Sequence, residues 1–174
     1  MVSPRLRHAF LLPALSAFLV GTVTPYALAQ GTGWTIFGGP KNTKELRAFL
    51  DSGQPGQQDR YYLEVPRQPI SVSEYYITYP EYYKGSFDVD RIEVRTPRNP
   101  KRNFKVGEAL WDKESRQLRI TVVDPIPADT VVEIVLSNVR NPRTGAMFFF
   151  NLSVLSPGDI PLPRPVGTWV ITLS

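Results

Sequence analysis

The chain has 174 residues, a formal net charge of +4, no cysteine and one histidine, His8. Without thiols, and without an imidazole once His8 leaves with residues 1–29, the mature chain has no usual ligand set for tetrahedral zinc, haem, an iron–sulfur cluster or blue copper. His8 lies in the segment that is expected to be removed, so neither a Ser-His-Asp nor a Cys-His nucleophile can be assembled in the mature chain, no cofactor is expected, and catalysis would have to use carboxylate pairs, lysine, tyrosine or a Ser–Lys pair.

Residues 1–29 read as a secretory signal. Arg5 and Arg7 give a positive start, Ala9 to Val20 form an apolar run broken by Pro13 and Ser16, and Ala27-Leu28-Ala29 supplies the small residues of a cleavage site before Gln30. The run is too short for the roughly 20 apolar residues of a permanent membrane span. The absence of cysteine excludes a lipid anchor, and Leu6 between the arginines excludes a twin-arginine signal. Removal of the segment takes His8 and leaves 18 basic against 16 acidic residues. So small an excess gives no strong field for nucleic acid or a membrane. The expected destination is the periplasm, a thylakoid lumen or the extracellular space. A domain of about 145 residues holds a core without disulfides, burying roughly 68–70% of its unfolded surface.

Residues 30–58 form a lead-in to the same domain, Gly-rich around Trp34 and Phe37. Asn42 and Glu45 have capping-box spacing, and Leu46, Phe49 and Leu50 fall at i, i+3 and i+4, which predicts one short helix of two turns. From residue 59 onward the pattern alternates. Tyr61, Leu63 and Val65 share a face up to Pro66; Tyr75, Ile77 and Tyr79 do so up to Pro80; Ile92 and Val94 precede Thr96-Pro97. Leu118, Ile120 and Val122 alternate with Arg119 and Thr121, residues 131–136 and 146–154 are apolar runs bounded by turn signals, and Trp169, Ile171 and Leu173 end the chain on one side. Short strands separated by Pro- and Gly-bearing turns predict an all-β, antiparallel, immunoglobulin-like sandwich over 59–174. Its expected core contains Leu118, Ile120, Val132, Ile134, Leu136, Trp169 and Ile171, with Val132, Ile134 and Leu136 turned inward because Glu133 shares the face of Val131 and Val135. Leu155 to Pro165, with four prolines, is either a recognition segment or, more simply, a stiff connection to the last strand.

The stretches Val131-Val-Glu-Ile-Val-Leu-Ser-Asn-Val-Arg-Asn-Pro142, Phe150-Asn151, Leu155-Ser-Pro-Gly-Asp159 and Gly167-Thr-Trp169 resemble an uncharacterised family of exported cyanobacterial proteins, a domain of unknown function. Tyr62-Leu-Glu-Val-Pro66, Tyr79-Pro80 and the Leu110-Trp-Asp112 turn are similar too. The resemblance implies a small exported β domain of the envelope or lumen and supplies no catalytic or binding residue.

Candidate chemistry comes from two clusters. Outside the signal, all seven tyrosines fall between Tyr61 and Tyr83. Neighbours such as Tyr75 and Tyr76 face opposite sides of a strand, so either one row is core and the other ordinary cross-strand pairing, or the outer row is a flat surface for sugar or protein. The binding reading places Tyr76, Tyr82 and Tyr83 outward. The second cluster, Arg95 to Lys105, has five cations and no acid. Its two prolines predict a loop, either a solvated connection or an anion-binding rim built from Arg98, Lys101, Arg102 and Lys105. Asp88 and Asp90 are a weak calcium signal because the rest of the loop pattern is missing. The expected function is a non-enzymatic exported binding or structural domain whose partner is an envelope protein or polysaccharide, without nucleic acid and without a membrane span once the signal is cut. The rival reading is a small carboxylate-dependent hydrolase of envelope polysaccharide.

Overall fold

Alternation decides the architecture: the central strands bury every second residue over much of their length, and two sheets close over the buried rows. The computed structural model describes residues 44–97, 99–158 and 162–174, with backbone alone at 99–102. These residues belong to one compact unit, residues 35–174. The signal segment, Gln30, Asn42 and the rest of 1–43 lie outside the described residues.

Among the described residues eleven strands run in chain order: β1 (Glu45–Leu46), β2 (Ala48–Leu50), β3 (Gln58–Val65), β4 (Val72–Thr78), β5 (Ile92–Thr96), β6 (Asn99–Phe104), β7 (Val106–Asp112), β8 (Gln117–Ile126), β9 (Val132–Arg140), β10 (Met147–Leu155) and β11 (Arg164–Thr172). One sheet has the order β1-β11-β10-β4-β8-β7 and the other β2-β3-β9-β5-β6. All neighbours are antiparallel except β1 and β11. In immunoglobulin lettering β2-β3-β9-β5 stands as ABED and β4-β10-β11 as CFG, with β8 and β7 extending the second sheet beside C. The fold is the expected antiparallel immunoglobulin-like sandwich. Among the described residues no helix is long and apolar enough to cross a membrane.

The expected core is in place. Leu118, Ile120, Val132, Ile134, Leu136, Trp169 and Ile171 are all buried. Val135, on the opposite face of β9 from Ile134, is buried as well. Its cross-strand neighbours are Tyr62 and Glu93, and the Arg95 guanidinium lies 5.7 Å from the Tyr62 ring centre. Ile134 is fully enclosed, so Ile134→Ala is expected to cost about 2–5 kcal/mol in urea unfolding. A loss below about 0.5 kcal/mol would show that the site collapses without a cavity.

Three expectations are corrected: the short helix, the cationic loop and the outward Tyr83. The helix at 45–50 is instead the pair of strands β1 and β2, one in each sheet. Six residues are too few to sustain a helix against the pairing offered by two open sheet edges. Gly167 lets β1 dock, since a Cβ there would stand 2.4 Å from the Lys44 carbonyl oxygen that receives the Thr168 N–H. The cationic stretch is mostly the β5–β6 hairpin rather than a loop. Pro100 is tolerated because β6 is an edge strand. Asp88 caps a short 3-10 turn, Val89–Arg91, receiving the Asp90 N–H, and its other oxygen receives the Asn138 amide. No metal-holding group of acids occurs among the described residues. Lastly Tyr83, expected outward, is in the core.

Candidate functional site

The tyrosines divide by the turn that follows β4. The Tyr83 N–H donates to the Pro80 carbonyl, at 3.0 Å, and this tight turn drives the Tyr83 ring inward while Tyr82 points out. Tyr83 stacks on Phe87 at 5.4 Å and meets Phe148 and Phe150 edge-on at 5.1 and 5.0 Å. Gly85 makes room for it: a Cβ at 85 would lie 2.7 Å from the Tyr83 ring and 2.6 Å from the Arg140 carbonyl. The Tyr61 hydroxyl donates to Asn141 Oδ1 at 2.5 Å, so across the 3.3 Å gap to Tyr83 it accepts. Burial raises the pKa values of Tyr61, Tyr75 and Tyr83 well above the ordinary phenol value, so all three remain neutral and supply no base.

The expected three-ring grip does not assemble. Tyr76 lies on the outer face of its sheet between Ser153 and Arg119, and its hydroxyl donates to Glu74 Oε2 at 2.7 Å. Tyr82 is 48% exposed at one end of the sandwich, stacked on Phe148 at 5.4 Å, with its hydroxyl donating to the Met147 carbonyl. Tyr83 is interior. Of the expected basic rim, Lys105 is exposed. Arg98, Lys101 and Arg102 lie outside the residues whose side chains are described. Arg95 is spent on Glu133 at 2.9 Å and on Glu93.

A different constellation forms at the end where β4, β7 and β8 meet. The β7–β8 turn is fixed by Asp112, whose Oδ1 receives the N–H groups of Glu114 (2.9 Å) and Ser115 (3.1 Å). Hydrogen bonds from the Ser115 side chain and from these two backbone groups hold the Asp112 carboxyl below its ordinary range. Arg116 closes the turn with φ +56°, and its carbonyl receives the Tyr79 N–H at 3.1 Å. That bond locks the hairpin to the segment after β4. Trp111 is held from two sides: its Nε1 donates to the Tyr79 hydroxyl at 2.7 Å, and it meets Phe87 edge-on at 5.4 Å. Lys113 Nζ lies 4.5 Å from the Trp111 ring centre. Between these parts runs an open groove of about 470 Å³, floored by Tyr79, Tyr83 and Trp111 and rimmed by Glu81, Lys84, Lys113 and Arg116. Among the described residues none of the three rim cations makes an ion pair.

A second hollow, about 420 Å³, includes Asp59, Arg60, Ser137 and Asn138. Most of the polar groups of these four residues are already engaged. Asp59 receives Ser52, Gly53, Arg60 and Asn141; Arg60 Nε donates to Ser137; Asn138 donates to Asp88. Of these two hollows, the first sets three cations without ion pairs beside aromatic rings. Sequence reasoning missed it because Lys84, Trp111, Lys113 and Arg116 converge through the Tyr79–Arg116 bond, which no local pattern announces. The usable signals were the Leu110-Trp-Asp112 turn and Tyr83 followed two residues later by glycine.

Fold and site together define an immunoglobulin-like sandwich with an aromatic-floored, basic-rimmed groove at one end. The chain belongs to the family described as "Protein of unknown function (DUF2808)", whose model matches residues 34–173. No curated protein matches it. Among solved structures it is similar to BslA, a bacterial hydrophobin, at 13% identity and a TM-score of 0.48, over 75% of this chain and 97% of that one. It is also similar to an uncharacterised protein from Nocardia farcinica with an immunoglobulin-like fold, at 13% identity and a TM-score of 0.38, over 75% of this chain and 98% of that one.

Proposed function

We propose that this chain is an exported, non-enzymatic binding domain of a cyanobacterial cell envelope or lumen, engaging an envelope polysaccharide or protein through the groove beside Trp111. The observation that carries the reading is the convergence of three cations without ion pairs on a preformed aromatic floor. Unpaired charge around a ready-made concavity favours a ligand of opposite sign. Export is supported by the positive start, apolar run and Ala-x-Ala ending of residues 1–29.

Binding is favoured over the hydrolase reading by the carboxylates. Glycoside hydrolysis of the common kind needs two acids flanking the scissile bond, roughly 5–9.5 Å apart. The groove lining holds one, Glu81.

The test uses the protein purified from the cells that make it. Mass spectrometry is expected to find Gln30 as the first residue, and affinity capture from solubilised envelope is expected to retain a defined polymer without releasing new reducing ends from it. Retention of residues 1–29 would remove the export reading. Steady production of reducing ends would replace the binding domain with an enzyme, and capture of nothing would leave the domain without a binding role.

A further inference from the structure

The groove's contents narrow the ligand class, and the narrowing rests on the binding reading above. We infer that the groove takes an acidic pyranose unit of a saccharide, with its carboxylate or sulfate among Lys84, Lys113 and Arg116 and its ring face against Trp111.

Charge is the first argument. Three cations and a single acid, Glu81, rim the groove, and a neutral ligand would leave that field without a partner. The single acid is the second. Glu81 would repel a bare phosphate or a run of carboxylates, yet a carboxylate is an acceptor for hydroxyl groups, and the Ser86 hydroxyl in the same lining can accept or donate. Cations with an isolated acceptor and a hydroxyl suit a molecule that carries one anionic group and several hydroxyls. The indole is the third. Trp111 is immobilised by the bond to Tyr79 and by the edge of Phe87, so little ordering is left for the ligand to induce. What lies over its face is the Lys113 ammonium, on a flexible four-carbon stem. Lys113 can move its charge to an incoming anion and leave the ring to the apolar face of the sugar. The groove volume, about 470 Å³, is within the roughly 300–1,000 Å³ of small-molecule sites.

The experiment follows the indole N–H resonances of the isotope-labelled full-length protein, with the Trp111 signal assigned from a Trp111→Phe variant. The titrants are a panel of uronate-bearing and sulfated oligosaccharides, their neutral counterparts, polyglutamate and inorganic phosphate. At least one acidic oligosaccharide is expected to shift Trp111 and leave the core indole of Trp169 in place, with its neutral counterpart bound about tenfold more weakly. The variant Lys84→Gln/Lys113→Gln/Arg116→Asn is expected to lose at least about tenfold in affinity, and added salt to weaken binding by the wild type. Asparagine tolerates the left-handed backbone at 116, so the turn and the thermal midpoint should persist. The inference falls if no acidic saccharide moves Trp111, if neutral counterparts bind as well, or if polyglutamate or phosphate alone matches the sugars. An envelope polymer captured equally by wild type and triple variant would keep the binding domain and remove this groove from it.

Discussion

Trp169→Ala is expected to lower the unfolding free energy by about 3–5 kcal/mol, the largest single loss in the domain. The indole is completely buried on β11, between Leu46 of β1 and Phe150 of β10 in the register. Its Nε1 donates to the Glu64 carbonyl on β3 at 3.0 Å, a bond that passes from one sheet to the other. Alanine would therefore open a cavity between the sheets and remove the indole donor from the Glu64 carbonyl at once. Trp169→Phe separates the two effects: it keeps most of the volume and loses the donor, and should cost only about 1–2 kcal/mol. Urea unfolding followed by far-UV circular dichroism makes the comparison without relying on the deleted fluorophore. Equal losses for the two variants would assign the effect to the inter-sheet bond, and a loss under about 1 kcal/mol for alanine would contradict the burial of the ring.

Asp59 should also give a large effect, and one that depends on pH. Its side chain is buried at the start of β3 and organises residues 51–58: it receives the N–H groups of Ser52 (3.0 Å), Gly53 (2.8 Å) and Arg60 (2.8 Å) and the Asn141 amide (3.0 Å). Asp59→Ala leaves those donors without their acceptor and is expected to cost about 3 kcal/mol. Burial alone would raise the carboxyl's pKa, yet the bonds from Asn141, Gly53, Ser52 and Arg60 together outweigh it, so the folded value lies below the ordinary 3.8. In the unfolded chain the group takes up its proton near that ordinary value. The unfolded state thus binds more protons between the two values, and the stabilisation is complete above the unfolded pKa and lost as pH falls through the folded one. The stability of the wild type should drop from about pH 5 downward, and Asp59→Asn should flatten the part of that decline that Asp59 causes. Parallel curves for the two proteins would assign the acid sensitivity elsewhere.

The sequence made the central strands legible and the edges illegible, for one physical reason. A strand covered on one face must alternate, and Leu118-Arg-Ile-Thr-Val122 or Tyr61-Tyr-Leu-Glu-Val65 could be read directly. Edge strands bury less and alternate weakly. β7 reads Val-Gly-Glu-Ala-Leu-Trp-Asp, with a register shift between Val106 and Glu108, and β6 contains a proline and adjacent cations. Neither resembled a strand in isolation. β1 and β2 were misread because an i, i+3, i+4 spacing over six residues fits a helical turn as well as it fits two short strands interrupted at Arg47. The site suffered in the same way. Tyr75 and Ile77 were assigned inward through alternation, but alternation stops at Pro80, and beyond it only the turn geometry decides that Tyr83 goes in and Tyr82 out. The groove cations, spread from Lys84 to Arg116, are assembled by tertiary hydrogen bonds that leave no periodic trace.

The division of the first strand between both sheets has a mechanical consequence. β1 runs parallel to β11, and β2 immediately crosses to pair with β3. In two adjacent parallel strands, the entry to one and the exit from the other lie at opposite ends of the pair. A pull applied between the chain before Lys44 and the residues after Thr172 would therefore slide β1 along β11 in shear, loading the Thr168 N–H to Lys44 carbonyl bond and its neighbours together rather than peeling them one at a time. The segment that looked like a helical preface to the domain is the clasp through which tension on its two ends would be borne.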